Sequence, residues 1–431
     1  MSTQTIAVII LLGSFGLMIL LRFPIVYAIG LSSVLCLKIQ GFSLTVICQQ
    51  IIKGISSYNL MAVPLFITMG VLMGSGGISK KLITLADSLV GWMRGGLAMV
   101  NIVASYFFGG ISGSATADTA SIGPILIPMM VEQGYDDDFS AAITGASSCE
   151  GLIIPPSHSM VIYAISAGGV SVGSLFLAGY LPGTLLALSM IICSYIISIR
   201  RNYPRGSQFS IKNLIKQLCH SFWALAAVVI VVFGVVGGVF TATESAAIAV
   251  IYSIFVSVFI YKGSNWKGIW HILGDCIDTL GIVLILIAIS SVFGYCMTIL
   301  QVPSLFAATI TKITNNPIIL ALLINLILFL LGCIMDMAPI ILIATPILLP
   351  IASSIGIHPV QFGIMIVLNC GIGLLTPPVG TVLFISSAIS KVPIERLTKA
   401  LLPFYISMII VLLLITFIPG ISLFIPNLFA K

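Results

Sequence analysis

Gly151–Pro156 (GLIIPP) returns 222 positions later as Gly373–Pro378 (GLLTPP). Two further matches keep this offset without a gap: Pro124–Pro128 (PILIP) with Pro346–Pro350 (PILLP), and Gly134 with Gly356. Proline and glycine interrupt helices. Two hydrophobic halves that are interrupted at equivalent places indicate a membrane protein built from two repeats, with a substrate pathway near the middle of the membrane.

The composition also indicates an integral membrane protein. Of the 431 residues, 59% are hydrophobic and 7% are charged, and the mean hydropathy is +1.23. A soluble domain needs a far more polar surface. Uncharged stretches recur along the whole chain, so we expect no large domain outside the membrane. The net charge of +6 comes without a basic cluster interleaved with aromatic residues, which argues against nucleic acid as a partner.

The sequence predicts an all-α, polytopic fold made of two inverted repeats. The first repeat covers residues 1–205 and the second covers 222–431, with a polar cytoplasmic linker at 206–221. Each repeat is predicted to hold full spans, one re-entrant helical hairpin and one helix broken at a Pro-Pro pair. The hairpins are placed at 97–132 and 317–353, and the broken helices at 138–167 and 359–390.

Four further segments are mixed in polarity. They are predicted to be helices that lie in the membrane interface, or else ordinary connecting loops. They are 43–58, 79–92, 264–279 and 303–315.

The basic residues predict the orientation. If each hairpin enters and leaves on one side, Lys38, Lys53, Lys312 and Lys431 lie on one side, and the other 14 of the 18 basic residues, Arg22 among them, lie opposite. The richer side is assigned to the cytoplasm. Both termini are then expected outside, and the two repeats have opposite orientations.

The tip of the first hairpin is a candidate ion site. Gly109–Asp118 (GGISGSATAD) places small and hydroxylated residues where the helix breaks. A break in hydrocarbon leaves carbonyls and amides that need partners, and the serine and threonine hydroxyls are hard oxygen ligands for a sodium-like ion. The alternative is tight helix packing by small residues.

The second tip carries a carboxylate. Asp336 falls on the position of Ser114. A carboxylate within a membrane is expensive and usually functional, so Asp336 is either a cation ligand or a helix cap. Asp118 lies just after the first tip and fits an N-cap.

Each Pro-Pro break is expected to face one hairpin tip, which gives two equivalent cation sites around one central substrate site. The alternative is that the proline pairs are simple kinks. The candidate substrate contacts are Ser157, Asn369, Gly380 and Thr381.

Two glutamates need an interpretation. Glu244 lies where a short turn joins two spans and, with Thr241 or Thr243, fits a helix start, with a role in ion coupling as the alternative. Glu150 lies close to the first break and is a protonatable site, a cation ligand or a partner of His158. His158 by itself is more often a packing residue. The sequence contains no Gly-x-Ser-x-Gly, HExxH or Walker A motif, so we expect no enzyme, and transport would be driven by a gradient.

These residues resemble the large membrane subunit of the tripartite ATP-independent periplasmic (TRAP) transporters. The resemblance covers essentially the whole chain. It is most specific at Gly110–Ala120 (GISGSATADTA), Ile153–Ser157 (IIPPS), Thr241–Ala246 (TATESA) and Gly373–Gly380 (GLLTPPVG).

This resemblance implies sodium-coupled uptake of a carboxylate-bearing solute across a bacterial inner membrane by an elevator mechanism. It also implies a periplasmic binding protein and a small membrane subunit as partners. A self-sufficient sodium- or proton-coupled carboxylate exchanger of the same architecture is the alternative. By resemblance, sodium would be held at Ser112, Gly113, Ser114 and Pro155, and at Asp336, Thr376 and Pro377.

The chain departs from the family pattern ahead of the first proline pair. Family members commonly carry an apolar or small residue and then a proline there, whereas this chain has Cys149-Glu150-Gly151-Leu152. We hypothesise that Glu150 modifies the coupling. Transport by Glu150→Gln with unchanged dependence on sodium and pH would contradict that hypothesis.

Overall fold

The fold is taken from a computed structural model that describes residues 3–429, apart from residues 22, 57, 76, 207, 303–304 and 306–315. The described residues form helices and no strand, which confirms the all-α prediction. The first half contains α1 (Thr3–Leu20), α2 (Ile25–Ile39), α3 (Leu44–Ile55), α4 (Ala62–Ser75), α5 (Ile78–Val90), α6 (Gly96–Ser112), α7 (Ala115–Glu132), α8 (Asp137–Ser148), α9 (His158–Ala167) and α10 (Val172–Arg200).

The second half contains α11 (Ile211–Val236), α12 (Ala242–Phe255), α13 (Trp266–Ile299), α14 (Pro317–Ile334), α15 (Met337–Ser354), α16 (Pro359–Leu374), α17 (Thr381–Ser390), α18 (Ile394–Phe417) and α19 (Pro419–Phe429). Among the described residues, seven helices are long and apolar enough to cross a membrane, or eight if the bent pair α4–α5 counts as one span. The protein is therefore a multi-pass membrane protein.

The helix boundaries repeat with the sequence offset. Both ends of α7 match those of α15 at a spacing of 222, and α8 and α10 begin 222 residues before α16 and α18. The Cys149 thiol donates to the carbonyl oxygen of Gly371, its own equivalent, at 3.2 Å. Two equivalent positions meet in this way only near a two-fold axis, so the broken segments cross at the centre of the molecule.

The predicted hairpins are two pairs of helices. The chain breaks at Gly113 and Ser114 between α6 and α7, and at Met335 and Asp336 between α14 and α15. The arms of each pair contact each other. In the first pair, Asn101 Nδ2 lies 3.7 Å from Met130 Sδ near the open end, so the chain folds back on itself. Entry of both hairpins from a single membrane face stays a prediction.

The hairpins and broken segments interlock. Each hairpin packs on the first half-helix of its own repeat: α6 and α7 contact α8, and α14 and α15 contact α16. The second arm also contacts the second half-helix of the other repeat, α7 on α17 and α15 on α9. All of these helices contribute to one hydrophobic core. A separate core joins α1, α2 and α13, with α3 packed against it.

Two boundaries differ from the sequence prediction. The predicted interfacial segment 264–279 is not separate, because α13 runs unbroken for 34 residues, about 50 Å at 1.5 Å per residue. Polarity at Asp275 and Asp278 marks no break, since neither residue interrupts backbone hydrogen bonding. The predicted linker 206–221 becomes helical at Ile211, where the Ser210 hydroxyl caps the Asn213 amide.

Some sequence predictions lie beyond the described part of the chain. Segment 303–315 is described only at residue 305, and Arg22, Lys312 and Lys431 of the topology count are also outside. The predicted orientation of the termini stays a prediction.

Candidate functional site

Both hairpin tips open into one cavity of about 390 Å³ at the centre of the interlocked helices. Its walls also include residues from α4, α9, α13 and the broken segments. The polar side chains in its lining are Ser112, Ser114, Thr116, His158, Thr279 and Asp336. The cavity therefore brings residues from both repeats to one place, although the two tips are 222 residues apart in sequence.

The first tip is built by a glycine and a serine cap. Gly113 ends α6 with a φ of +61°, a conformation that favours glycine. The Ser114 hydroxyl accepts from the Ala117 amide at 3.4 Å and so caps α7. Its Oγ also lies 3.0 Å from the Thr116 hydroxyl, and the Ser112 hydroxyl reaches the Ser114 carbonyl at 3.4 Å. Several hard oxygen donors are thus concentrated at the tip.

The first tip lies directly on the first break. A Cβ added to Gly113 would come within 2.8 Å of the Pro156 carbonyl oxygen, and one added to Gly151 within 2.9 Å of the Gly109 Cα. On the other side, a Cβ at Gly70 of α4 would come within 2.9 Å of the Ser112 carbonyl oxygen. These close approaches need glycine, because any side chain would push the backbones apart.

The second tip meets the second break in a similar way. The Val379 amide donates to the Cys333 carbonyl oxygen at 3.1 Å. A Cβ added to Gly373 would come within 2.5 Å of the Gly332 Cα. Asp336 occupies the N-cap position of α15, is exposed, and lines the cavity. Each break therefore faces one tip, as the sequence analysis expected.

The residues assigned to cation binding fall into two groups. Ser112, Ser114 and Asp336 line the cavity, and Gly113 lies between the first two. The rest belong to the breaks: Pro155 is buried, Pro377 is exposed, and the Thr376 hydroxyl donates to the Ile372 carbonyl at 2.8 Å.

The four candidate substrate contacts do not line this cavity. The Ser157 hydroxyl donates across the first break to the Leu152 carbonyl at 2.6 Å. The Asn369 amide donates to Asn325 Oδ1 at 2.9 Å and to the Met365 carbonyl at 3.0 Å, so it joins α16 to α14. Gly380 is buried, and the Thr381 hydroxyl is buried without a hydrogen-bond partner among the described residues.

Three cavity residues were not singled out as site residues from the sequence. Thr116 lies within the tip motif, and His158 follows directly after Ser157 at the start of α9. Both residues could therefore have been predicted from their positions at the first tip and the first break. Thr279 comes from the middle of α13. Local sequence gave no signal for it, because only tertiary packing brings α13 to the tips.

The cavity has no fixed positive side chain, since none of the described residues in its lining is lysine or arginine. Positive potential comes instead from the N-terminal ends of α7 and α15, where Ala115–Ala117 and Met337 line the wall. Helix N-termini bind anions, and clustered hydroxyl and carboxylate oxygens suit a hard cation. The arrangement is able to hold both kinds of ion side by side.

Two carboxylates lie behind the first tip. Asp118 and Glu150 are both fully buried. The predicted N-cap role of Asp118 is wrong, because Ser114 caps α7 and Asp118 lies one turn inside it. Neither carboxylate oxygen of Glu150 has a hydrogen-bond partner among the described residues, so the structure shows no pairing with His158.

The prediction for Glu244 is confirmed. The Thr241 hydroxyl accepts from the Glu244 amide at 3.2 Å, and Glu244 Oε2 accepts from the Thr241 amide at 2.8 Å. This reciprocal pair is a capping box at the start of α12.

Known proteins resemble this chain in sequence and in fold. Residues 12–421 match the family described as "Tripartite ATP-independent periplasmic transporter, DctM component". The chain is 42% identical to the uncharacterized protein YgiK of Salmonella typhimurium, with 98% of each chain covered. It is 38% identical to the sialic acid TRAP transporter large permease protein SiaM of Vibrio cholerae, with 88% of this chain and 89% of that one covered.

A solved structure, the YdaH transporter of Alcanivorax borkumensis, has the same fold at 15% identity, with a TM-score of 0.62 over 88% of this chain and 89% of that one. The family match spans nearly the whole chain, and SiaM is named as a transporter permease and not as an enzyme. The chain belongs to the DctM component family of the tripartite ATP-independent periplasmic transporters, as the membrane subunit of such a transporter.

Proposed function

We propose that this protein carries a small carboxylate-bearing solute across the bacterial inner membrane, driven by sodium. The observation that carries the proposal is the shared cavity, in which a hydroxyl-rich tip from one repeat faces a carboxylate tip from the other. Family membership supports two partners, a small membrane subunit and a periplasmic binding protein. No described group of three or more His, Cys, Asp or Glu residues is arranged to hold a metal ion as a resident cofactor.

Sodium fits the first tip because its donors are neutral oxygens. Ser112 and Ser114 supply hydroxyls, and Ser112 also places its backbone carbonyl at the C-terminal end of α6. That helix end carries partial negative charge, which favours a cation. At the second tip, Asp336 supplies a full negative charge at the matching place. A cation bound at the second tip would neutralise Asp336, and a cation bound at the neutral first tip would add positive potential beside a solute carboxylate.

An anionic solute fits the rest of the cavity. The N-terminal amide groups of α7 and α15 face the cavity. His158 adds an imidazole ring that is able to donate a hydrogen bond to a carboxylate. The largely apolar remainder of the wall suits the carbon skeleton of an organic acid. The relative SiaM is named for sialic acid, which is itself a carboxylate.

An elevator movement is supported by the two hydrophobic cores. The hairpins and broken segments interlock within one core, which also includes α4, α5, α10–α12 and α18, so we infer that they would move as a unit. The other core joins α1, α2 and α13. The cavity lies where α13 meets the tips, at the boundary between these two groups of helices. A bound solute would therefore travel with the tips along α13.

The test is reconstitution of the protein in liposomes with its small subunit and binding protein. Uptake of sugar acids, dicarboxylates and keto acids is measured with and without a sodium gradient. We expect uptake of one class only with inward-directed sodium and with the binding protein present. The control is Glu132→Gln, which neutralises an exposed carboxylate at the far end of α7 and leaves uptake unchanged.

Two outcomes would contradict the proposal. Uptake that ignores sodium would reject the coupling ion. Full uptake without the binding protein would favour the self-sufficient exchanger of the same architecture.

A further inference from the structure

Six lysines at one end of the helix bundle have no part in the proposed transport site. They lie at the start of α5, in the first half of α11, and between the end of α12 and the start of α13. These segments meet, because α11 packs against α5, a Cβ added to Gly77 would lie 4.0 Å from the Gly263 Cα, and the Tyr261 hydroxyl donates to the His220 carbonyl at 2.8 Å. The lysine patch consists of Lys80, Lys81, Lys212, Lys216, Lys262 and Lys267.

The lysine patch has no counter-charge of its own. None of its members forms an ion pair within the described part of the chain, where the ion pairs all belong to arginines. All but Lys81, which is half-buried, are exposed. The acidic residues of the same helices lie further along them: Asp87 of α5, and Asp275 and Asp278 of α13. Neighbouring like charges repel each other, so the lysine patch favours anions from outside the protein.

A groove of about 480 Å³ lies beside the lysine patch, between the end of α12 and the start of α13. Lys262 and Trp266 line it, together with Val258. The Trp266 ring packs edge to face on Phe259, with 6.4 Å between the ring centroids, and Phe259 contacts Phe255 at 5.3 Å. All three rings are about half exposed. The groove therefore combines a cationic group with an exposed aromatic surface.

The groove lies at the edge of the membrane. The helix 242–260, which is α12 with a final π-helical turn, and α13 are both long and apolar enough to cross a membrane, and the groove lies where one ends and the other begins. At this depth lysine and tryptophan meet lipid headgroups. Trp270 is 74% exposed, and Ile277, two turns further along α13, is 67% exposed. An exposed apolar face thus continues from the groove towards the membrane interior.

We propose that this groove binds an anionic phospholipid, with its phosphate at Lys262 and Lys267 and its acyl chains along Phe259 and the exposed face of α13. Charge complementarity favours this occupant, since basic pockets at helix ends bind anionic headgroups. A zwitterionic lipid would bring its own cation to the lysine patch. A free phosphate ion would leave the apolar surface without a partner.

The site belongs to the second repeat alone. By the 222-residue offset, Lys262, Trp266 and Lys267 correspond to Gln40, Leu44 and Thr45 in the first repeat. The same helix α13 lines the transport cavity further along, at Thr279 and Val283. A lipid bound at its start would hold α13 in place against the tips. This consequence rests on the proposed function, whereas binding of the lipid does not.

The test is native mass spectrometry of the full-length protein, purified in neutral detergent and titrated with dioleoylphosphatidylglycerol, with dioleoylphosphatidylcholine or with inorganic phosphate. We expect the wild type to bind phosphatidylglycerol more tightly than phosphatidylcholine. Lys262→Gln/Lys267→Gln should weaken phosphatidylglycerol binding by about tenfold and leave phosphatidylcholine binding unchanged. The control is Lys38→Gln/Lys53→Gln, which removes two exposed lysines of α2 and α3 and should leave both affinities unchanged.

Several results would overturn the proposal. Equal affinity of the wild type for the two lipids would remove the preference for an anion, and an equal loss in the control would show a general effect of net charge. Displacement of phosphatidylglycerol by inorganic phosphate would indicate a site for a free anion. Loss of the lipid on adding the small membrane subunit would assign the groove to that partner.

The experiment remains decisive if the double variant does not fold. Thermal unfolding checks this, and Lys267→Gln alone then carries the comparison with Lys53→Gln. Phosphatidylglycerol binding that is unchanged in Lys267→Gln would contradict the proposal. The measurement needs neither sodium nor transport, so failure of sodium-driven uptake and failure of this proposal are separate results.

Discussion

The two hairpin tips have the same backbone plan but different chemistry and exposure. Each is a break of two residues that lies against a Pro-Pro break of its own repeat. The first break, Ile153–Ser157, is buried throughout, whereas Pro377, Pro378 and Val379 of the second are exposed. The comparison shows that the repeat preserves where the helices stop, while side chains and packing decide what each half can bind.

The carboxylates follow this division. The first half keeps Asp118 and Glu150 buried behind a neutral tip, and the second half places Asp336 at the tip itself. Ser114 and Asp336 are equivalent in sequence and both precede the second arm. Carboxyl groups are thus buried in one repeat and lie at the cavity in the other.

The largest expected effect is a difference in sodium affinity between variants of the charged second tip and the neutral first tip. Asp336→Asn removes a charged ligand and should weaken the apparent sodium affinity of uptake by about 10- to 100-fold. Ser114→Ala removes one neutral oxygen and should weaken it by about fivefold. Sodium titrations of uptake in liposomes measure both. Equal losses at the two tips would show that the charge of Asp336 does not contribute to sodium binding.

A second experiment tests whether the close glycine–glycine contact contributes equally to the stability of the two halves. Gly151 and Gly373 are equivalent, and each lies against a hairpin glycine, Gly109 or Gly332. Alanine at either position should lower the free energy of unfolding by about 1–3 kcal/mol through overpacking. Thermal unfolding of the purified variants measures this.

The control for the glycine pair is Gly294→Ala in α13, where an added Cβ meets no atom within 4 Å. That variant should be as stable as the wild type or slightly more stable, because alanine favours a helix. Destabilisation at Gly151 without any at Gly373 would mean that only the buried break depends on the close contact.

The smallest expected effect concerns an ion-pair cluster around the aspartates at the start of α8, which Arg201 of the first half and Arg396 of the second half both join. At the start of α8, Asp136 accepts hydrogen bonds from the Tyr203 hydroxyl and Arg201 Nη1, each at 2.7 Å. These bonds, that of Tyr203 foremost, lower the pKa of Asp136 from its ordinary value of 3.8. The equivalent residue in the second half is His358, and its ring instead accepts from the Val360 amide.

Because the folded-state pKa of Asp136 is lowered, its contribution to stability is present above the unfolded value. It disappears as the pH falls through the folded value. Asp136 is half exposed, so we expect less than about 1 kcal/mol. Unfolding midpoints of wild type and Asp136→Asn should differ at pH 7 and converge towards pH 3. Tyr203→Phe should reproduce most of the difference, and a constant gap across this range would exclude the pKa mechanism.

Much of the architecture could be predicted because the clearest sequence features are residues that change the backbone locally. Proline and glycine act locally, so the repeated GLIIPP and GLLTPP segments located both breaks, and Gly113-Ser114 located the first tip. The capping box at Glu244 was equally local.

What sequence could not predict depends on packing between distant segments. Ser157 and Asn369 have the chemistry of substrate contacts, yet Ser157 bonds across the first break and Asn369 bonds from α16 to the hairpin helix α14. Thr279 joins the cavity only because α13 packs against α4 and the second hairpin arm α15. The partners available to a buried carboxylate are likewise set by tertiary structure, and for this reason several roles remained open for Glu150.

The interruption between α3 and α4 has an equivalent in the second repeat. Residues 56–61 lie between the end of α3 at Ile55 and the start of α4 at Ala62. By the 222-residue offset they correspond to residues 278–283 of α13. Thr279 and Val283, the two cavity residues of that helix, lie in this stretch. One copy of the duplicated segment holds a separate short helix at Tyr58–Met61, and the other belongs to a continuous helix that lines the cavity. The two halves are therefore not related by an exact two-fold rotation, and under the proposed elevator mechanism the outward-facing and inward-facing conformations need not be equivalent.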